Sequence, residues 1–177
     1  LDWQNKWFIH LACILILLFW GYKSTSFLNN DFWQDEIYTL KHFVFVPWKT
    51  VLTDYHSTNN HILFNVLLKA FTDVAGIHSL LHAVEKPWLI RFVPLLFSLL
   101  SVICFYQGML KHFGRTFALA GISVFCTSIV FVDFALQVRG YSLSILTTVL
   151  LLFSFFEYIN KVHNRWGVIL LFVWNGL

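Results

Sequence analysis

The chain has 177 residues, of which 58% are hydrophobic and 12% charged, with a formal net charge of +3. Soluble domains carry about 25% charged residues, so the composition excludes an ordinary water-soluble fold. The small charge gives no basis for nucleic-acid binding, and apolar runs of bilayer-spanning length recur, so the expected class is all-α: a polytopic transmembrane helical bundle.

The first span is expected at 7–22, between Lys6 and Lys23. Its length of about 24 Å as a helix is short for a bilayer. Trp7, Trp20 and Tyr22 suit the two interfaces, and the flanking lysines can snorkel. No small-residue cleavage pattern follows, so the span reads as an anchor and not a removed signal.

An outer loop at 23–87 comes next and carries most of the acidic residues. Trp33, Ile37, Leu40 and Val44 recur at helical spacing, which predicts an amphipathic juxtamembrane helix over about 32–45, ended by Pro47. Within it, Asp35 and Glu36 stand side by side among aromatic residues. Two readings of this pair are open. It can hold a polar substrate at the membrane surface, or it can fill the first turn of a helix capped by Asn30 or Asp31 and complement the helix dipole. After a turn-rich polar segment at 54–60, residues 61–76 carry His61, Asn65, Lys69, Thr72, Asp73 and Gly76 along one face. That stripe predicts a second amphipathic helix lying in the interface.

Further spans are expected at 88–110, 116–132, 142–159 and 166–177, with Pro87 opening the first of them. Short basic loops at 111–115 and 161–165 are expected on the cytoplasmic side. If 61–76 lies in the interface, the N-terminus is cytoplasmic and the acidic loop extracytoplasmic. If 61–76 crosses, both assignments invert. The first arrangement is preferred, although Lys23, Lys41 and Lys49 then lie outside. Cys13, Cys104 and Cys126 fall inside apolar runs and read as small buried residues. The chain begins at Leu1 and stops within an apolar run, and it reads as part of a longer protein.

Candidate site residues gather at the outer face. Arg139 lies in the short connection at 133–141, at headgroup depth. It can snorkel, pair with an acidic residue such as Asp133, Asp35 or Glu36, or bind a phosphate through its fixed fork of donors. His61, after Asn59 and Asn60, can cap its helix or line a site. Asn60 and Tyr141 adjoin His61 and Arg139 and are grouped with them as substrate-contacting candidates. His78 and His82 have a helical metal-ligand spacing but no carboxylate pattern to complete a site, so no metal ligand is assigned. No Walker loop, dinucleotide fingerprint, serine-nucleophile elbow or CxxC occurs.

The order of these features carries a resemblance. A short span precedes an outer loop with Asp35-Glu36. Asn59-Asn60-His61-Ile62-Leu63-Phe64 follows, then Arg91-Phe92-Val93-Pro94-Leu95-Leu96-Phe97-Ser98, a Phe-Gly-Arg turn at 113–115, and Gln137-Val138-Arg139-Gly140-Tyr141-Ser142-Leu143. This order resembles the N-terminal part of the GT-C membrane glycosyltransferases, in the branch of protein O-mannosyltransferases and aminoarabinose transferases. The resemblance covers nearly the whole chain and rests on order and spacing, not on one specific motif. It implies a polyprenyl-phosphate-linked sugar donor, a lipid or protein acceptor, and a location in the plasma (inner) membrane with transfer on the extracytoplasmic side. It further implies that Asp35 acts as general base with Glu36 in support, that Arg139 is the basic residue of the second outer loop, and that His61 opens the helix where relatives carry His-Pro or Glu-Pro. No proline follows His61, and Gln137 stands where relatives often have Glu. The cofactor therefore stays open: a divalent metal is not required by these residues. A reading from another class is a non-catalytic transport or assembly subunit whose outer loop binds a partner; the scarcity of polar residues within the spans speaks against a transporter.

Overall fold

The computed structural model describes residues 3–54 and 60–159, with side chains from residue 11 onward. The expected span at 166–177, the basic loop at 161–165 and most of the turn-rich segment at 54–60 lie outside the described residues. Helices account for the regular structure: α1 (Trp3–Leu28), α2 (Gln34–Thr39), α3 (Trp48–Thr53), α4 (Ile62–Val74), α5 (Leu80–Glu85), α6 (Pro87–Phe113), α7 (Arg115–Thr127), α8 (Ile129–Phe134) and α9 (Tyr141–Ile159). No strand occurs among the described residues.

Three helices are long and apolar enough to cross a membrane, within Leu11–Leu28, Pro87–Phe113 and Tyr141–Tyr158, and they mark an integral membrane protein. Leu11, Ile14, Leu15, Leu18 and Tyr22 of α1 are all more than half exposed, an apolar face that water would not tolerate and lipid does. The expected crossing at 116–132 is interrupted. α7 ends at Thr127, and α8 restarts after Ser128, whose backbone leaves the helical region at ψ 123°. Gly114, at φ 83°, makes the sharp turn between α6 and α7 in a conformation that side chains with a Cβ rarely adopt. α6 packs against both α7 and α9, and α1 packs against α7.

Two apolar clusters organise the interior. One, within the bundle, joins Trp20, Val102, Ile122, Cys126, Phe131 and Ala135. The other joins the helices between α1 and α6 to the start of α6 through Leu40, Val44, Phe64, Leu68, Ile90 and Val138. The second cluster is the floor on which that segment sits.

The juxtamembrane helices differ from their sequence pattern in how they face. The segment expected at 32–45 is α2 followed directly by a π-helical turn at Leu40–Val44. Neither Asn30 nor Asp31 caps it. The cap position is Trp33, whose N–H is taken by the Glu36 carboxylate at 2.8 Å. Trp33 is 67% exposed, whereas Glu36, at the edge of the expected apolar face, is buried. In α4 the expected polar stripe is turned inward. Asn65, Lys69 and Thr72 are buried, while Val74 is 90% exposed and Leu67 38%. The inward groups find local partners: Asn65 donates to Asn60, the Thr72 hydroxyl to the Lys69 carbonyl, and Lys69 to Asp73 at 3.5 Å. Buried polar groups are tolerated where each finds such a partner. With 13 residues, α4 reaches about 20 Å, short of the roughly 30 Å bilayer core.

Candidate functional site

One end of the bundle collects the C-terminal end of α1, the start of α2, the start of α6, and the segment 135–140 that leads into α9. The chemistry that gathers them is a buried ion pair. Arg91 sits in the second turn of α6, and its side chain is only 4% exposed. Its guanidinium donates to the carbonyls of Phe27, Leu28, Asn30 and Asp31 at 2.5–3.2 Å. A helix C-terminus leaves its last carbonyls without intrahelical donors, and a cation there is favoured by the helix dipole as well. Arg91 thus caps α1 from another helix. The same guanidinium donates to Glu36 Oε2 at 2.9 Å and lies over the Phe32 ring at 4.9 Å.

Glu36 completes the knot. Its side chain is 1% exposed. Oε2 accepts from Arg91 and from the Trp33 N–H, and Oε1 accepts from the Val138 N–H at 2.8 Å. Residue 138 is thereby tied to α2 across 102 positions of sequence. The Ser98 hydroxyl fixes the same segment from α6 by donating to the Ala135 carbonyl at 2.7 Å. A cavity of about 100 Å³, lined by Asn30, Glu36, Arg91, Asp133 and Gln137 among others, adjoins the knot.

Asp35 and Arg139 are carried into place by their neighbours. With Glu36 and Val138 joined, the next residues on either side meet: Arg139 Nη1 donates to Asp35 Oδ2 at 2.9 Å. The environments of the two partners are unequal. The Asp35 side chain is 64% exposed, and that of Arg139 is 7% exposed. Arg139 therefore points outward from a buried position toward a carboxylate at the surface. Its Nε is buried and has no hydrogen-bond partner among the described residues, and the same holds for Oγ of Ser142. Asp133, the nearer acidic residue in sequence, does not form this pair; it is exposed and lines the small cavity beside Arg91.

Tyr141 and His61 pack around the guanidinium. Arg139 lies over the Tyr141 ring at 4.8 Å, and His61 meets the same ring edge-on at 5.8 Å. Gly140 permits this approach, because a Cβ there would come within 2.4 Å of the His61 ring. Burial holds the His61 imidazole below its ordinary pKa of 6.5, and the Arg139 charge pushes it the same way. His61 is therefore the neutral imidazole at neutral pH, able to donate from one ring nitrogen and accept at the other. Asn60 is occupied with the backbone of its own loop. Its side-chain amide donates to the Asp54 carbonyl, and its oxygen accepts from Asn65.

The structure brings together Asp35, Arg139, His61 and Tyr141. It turns Glu36 into the adjacent buried knot. Arg91 is the residue the sequence reading passed over as a site element. Its signal was present: an arginine one turn inside an otherwise apolar span needs a partner. His78 lies 3.7 Å from Asp73, and no three His, Cys, Asp or Glu side chains among the described residues converge in a metal-binding set. Chemically, the site offers an exposed carboxylate that can accept a proton, a buried cation with unused donors, and a neutral imidazole. Compared with known protein families, curated proteins and solved structures, the chain matches none.

Proposed function

We propose that this chain is the N-terminal part of a GT-C-type membrane glycosyltransferase that takes a sugar from a polyprenyl-phosphate donor and passes it to an acceptor on the extracytoplasmic side. The observation that carries the proposal is the Asp35–Arg139 pair at 2.9 Å, formed between two outer segments that lie 104 residues apart. A base and a phosphate-binding cation are the two groups this reaction needs side by side.

In the proposed reaction Asp35 takes the proton from an acceptor hydroxyl or amine as that atom attacks the anomeric carbon of the sugar. The bond from that carbon to the phosphate oxygen breaks, and the lipid phosphate leaves with an added negative charge. Arg139 counters that charge through donors that Asp35 does not occupy. Its buried position strengthens the interaction relative to water. Neutral His61 and Tyr141 border the same place and serve as substrate contacts. Glu36, with Arg91, positions both reacting groups. The short basic turn with Lys111 and Arg115, at the end of the bundle opposite Asp35, supports the orientation with a cytoplasmic N-terminus.

The test uses the full-length protein, purified in detergent and given radiolabelled polyprenyl-phosphate hexose and pentose donors in turn, together with a membrane extract as acceptor source. Loss of label from the lipid and its appearance on an acceptor is the expected result. A donor that stays intact, with added divalent cations as well as without, contradicts the proposal.

A further inference from the structure

The cavity of about 100 Å³ beside the Glu36–Arg91 joint is lined by a different set of side chains from those of the Asp35–Arg139 pair. Phe27, in the last turn of α1, and Trp33, just before α2, bring aromatic surface to it. Asn30, Asp133 and Gln137 bring polar groups. Size sets a first limit on what it holds. At about 30 Å³ per water the space takes roughly three waters. Sites for whole small molecules begin near ~300 Å³, so this one fits a single small group of a ligand.

Charge sets the second limit. Both terminal nitrogens of Arg91 are spent on backbone carbonyls and on Glu36. Both oxygens of Glu36 are spent on Arg91 and on the N–H groups of Trp33 and Val138. The joint therefore brings no net charge to the cavity. What remains is the Asp133 carboxylate, exposed and without a partner among the described residues, together with the equally unpartnered side-chain amides of Asn30 and Gln137. An anion would meet Asp133 with no cation to spare. A metal ion asks for several carboxylate or imidazole ligands, and no three such groups converge among the described residues. One kind of group uses the carboxylate and the aromatic faces together: a cation with carbon on its surface, an ammonium bearing methyl or methylene groups. The amide oxygens of Asn30 and Gln137 would accept from any N–H it carries.

We infer that this cavity binds an organic ammonium group, with Asp133 as its counter-ion and Trp33 and Phe27 as its aromatic walls. Phe27 belongs to a stretch, Leu11–Leu28, that is long and apolar enough to cross a membrane. The cavity thus stands where such a span ends, the level at which lipid headgroups lie. The ammonium has two possible sources of the same chemistry, an ethanolamine or choline lipid headgroup and a free amine. The inference does not rest on the proposed function, because neither sugar donor nor acceptor enters it.

The test uses the full-length protein labelled with fluorotryptophan, in a maltoside detergent that carries no amine, with the Trp33 fluorine resonance assigned through Trp33→Phe. Choline and ethanolamine are titrated first, then short-chain phosphatidylethanolamine and phosphatidylglycerol. The Trp33 resonance is expected to shift saturably with the amines and not with phosphatidylglycerol. Asp133→Asn should weaken amine binding about tenfold, Asp133→Glu less, and Phe27→Leu about threefold, with a thermal unfolding curve recorded for each. Phosphatidylethanolamine binding tighter than ethanolamine supports a lipid headgroup as the occupant, and equal binding supports a free amine; either upholds the site. Absence of a saturable shift with any amine overturns the inference. So does amine binding that Asp133→Asn leaves unchanged, or a larger shift with magnesium or inorganic phosphate than with the amines. Because no sugar donor is present, amine binding and sugar transfer succeed or fail separately.

Discussion

Two arginine–carboxylate pairs lie side by side at one end of the bundle, and they are built differently. In the Glu36–Arg91 pair both side chains are almost wholly buried, and Arg91 also serves four backbone carbonyls. In the Asp35–Arg139 pair the carboxylate is largely exposed, and the buried guanidinium keeps an unpartnered Nε. Consecutive residues on a helix point about 100° apart, which is enough to send Glu36 into the protein and Asp35 out of it. The saturated pair joins α1, α2, α6 and the segment before α9 and has little left for a ligand. The unsaturated pair retains both proton-accepting and anion-binding capacity. A polar group that is fully used is a structural joint, and one held in place with capacity to spare is where chemistry is to be sought.

The largest effect should come from cutting the joint. Arg91→Ala or Glu36→Gln leaves a buried charge without its partner, at a cost of about 3–5 kcal/mol. Thermal unfolding in detergent should shift down by about 10 °C or more. A shift within error for either variant would erase the distinction between the two pairs. Next comes Arg139. Arg139→Ala should lower the unfolding temperature less than cutting the joint does, because Asp35 stays hydrated and only the packing on Tyr141 is lost, yet reduce sugar transfer about 10²- to 10³-fold. Arg139→Lys retains the charge without the fork and should keep an intermediate rate, about tenfold down. Equal loss of stability in Arg139→Ala and Arg91→Ala would make both pairs joints.

Gly140→Ala sharpens the comparison from the packing side. The new methyl would meet the His61 ring, so the ring or the Arg139 segment must move, at about 1–3 kcal/mol. Transfer should fall more than stability does, and a second change, His61→Ala, should restore part of it by making room. The smallest effect concerns pH. The folded protein holds His61 below its ordinary value of 6.5, so below that pH the unfolded chain binds a proton that the folded chain does not. Stability from this group is present in full above pH 6.5 and is lost as the pH falls through the folded pKa. Unfolding temperature measured from pH 7.5 down to 5 should therefore decline less steeply in His61→Asn than in the wild type.

Much of this was legible in the sequence, for identifiable reasons. Bilayer-length apolar runs declare α6 and α9 by length alone. Charges are so scarce that Arg139 and the Asp35-Glu36 pair stood out as groups in need of partners, and Asp35 and Arg139 do meet. The inward turn of Glu36 was not legible, since its partner Arg91 lies 55 residues away and adjacent carboxylates look alike in a string of letters. The facing of α4 was not legible, because a polar stripe on one helix does not say whether it meets solvent or protein; here Asn65, Lys69 and Thr72 are buried. The break at Ser128 left no mark because the apolar run continues through it.

The central claim is that Asp35, and not its neighbour, does chemistry at this site. It is tested most directly by Asp35→Asn in the full-length protein, assayed for transfer from a polyprenyl-phosphate sugar beside a thermal unfolding curve. Loss of a general base predicts a rate about 10²- to 10⁴-fold below wild type with an unchanged unfolding temperature. A wild-type rate in the variant would contradict the account and return the Asp35–Arg139 pair to a structural role.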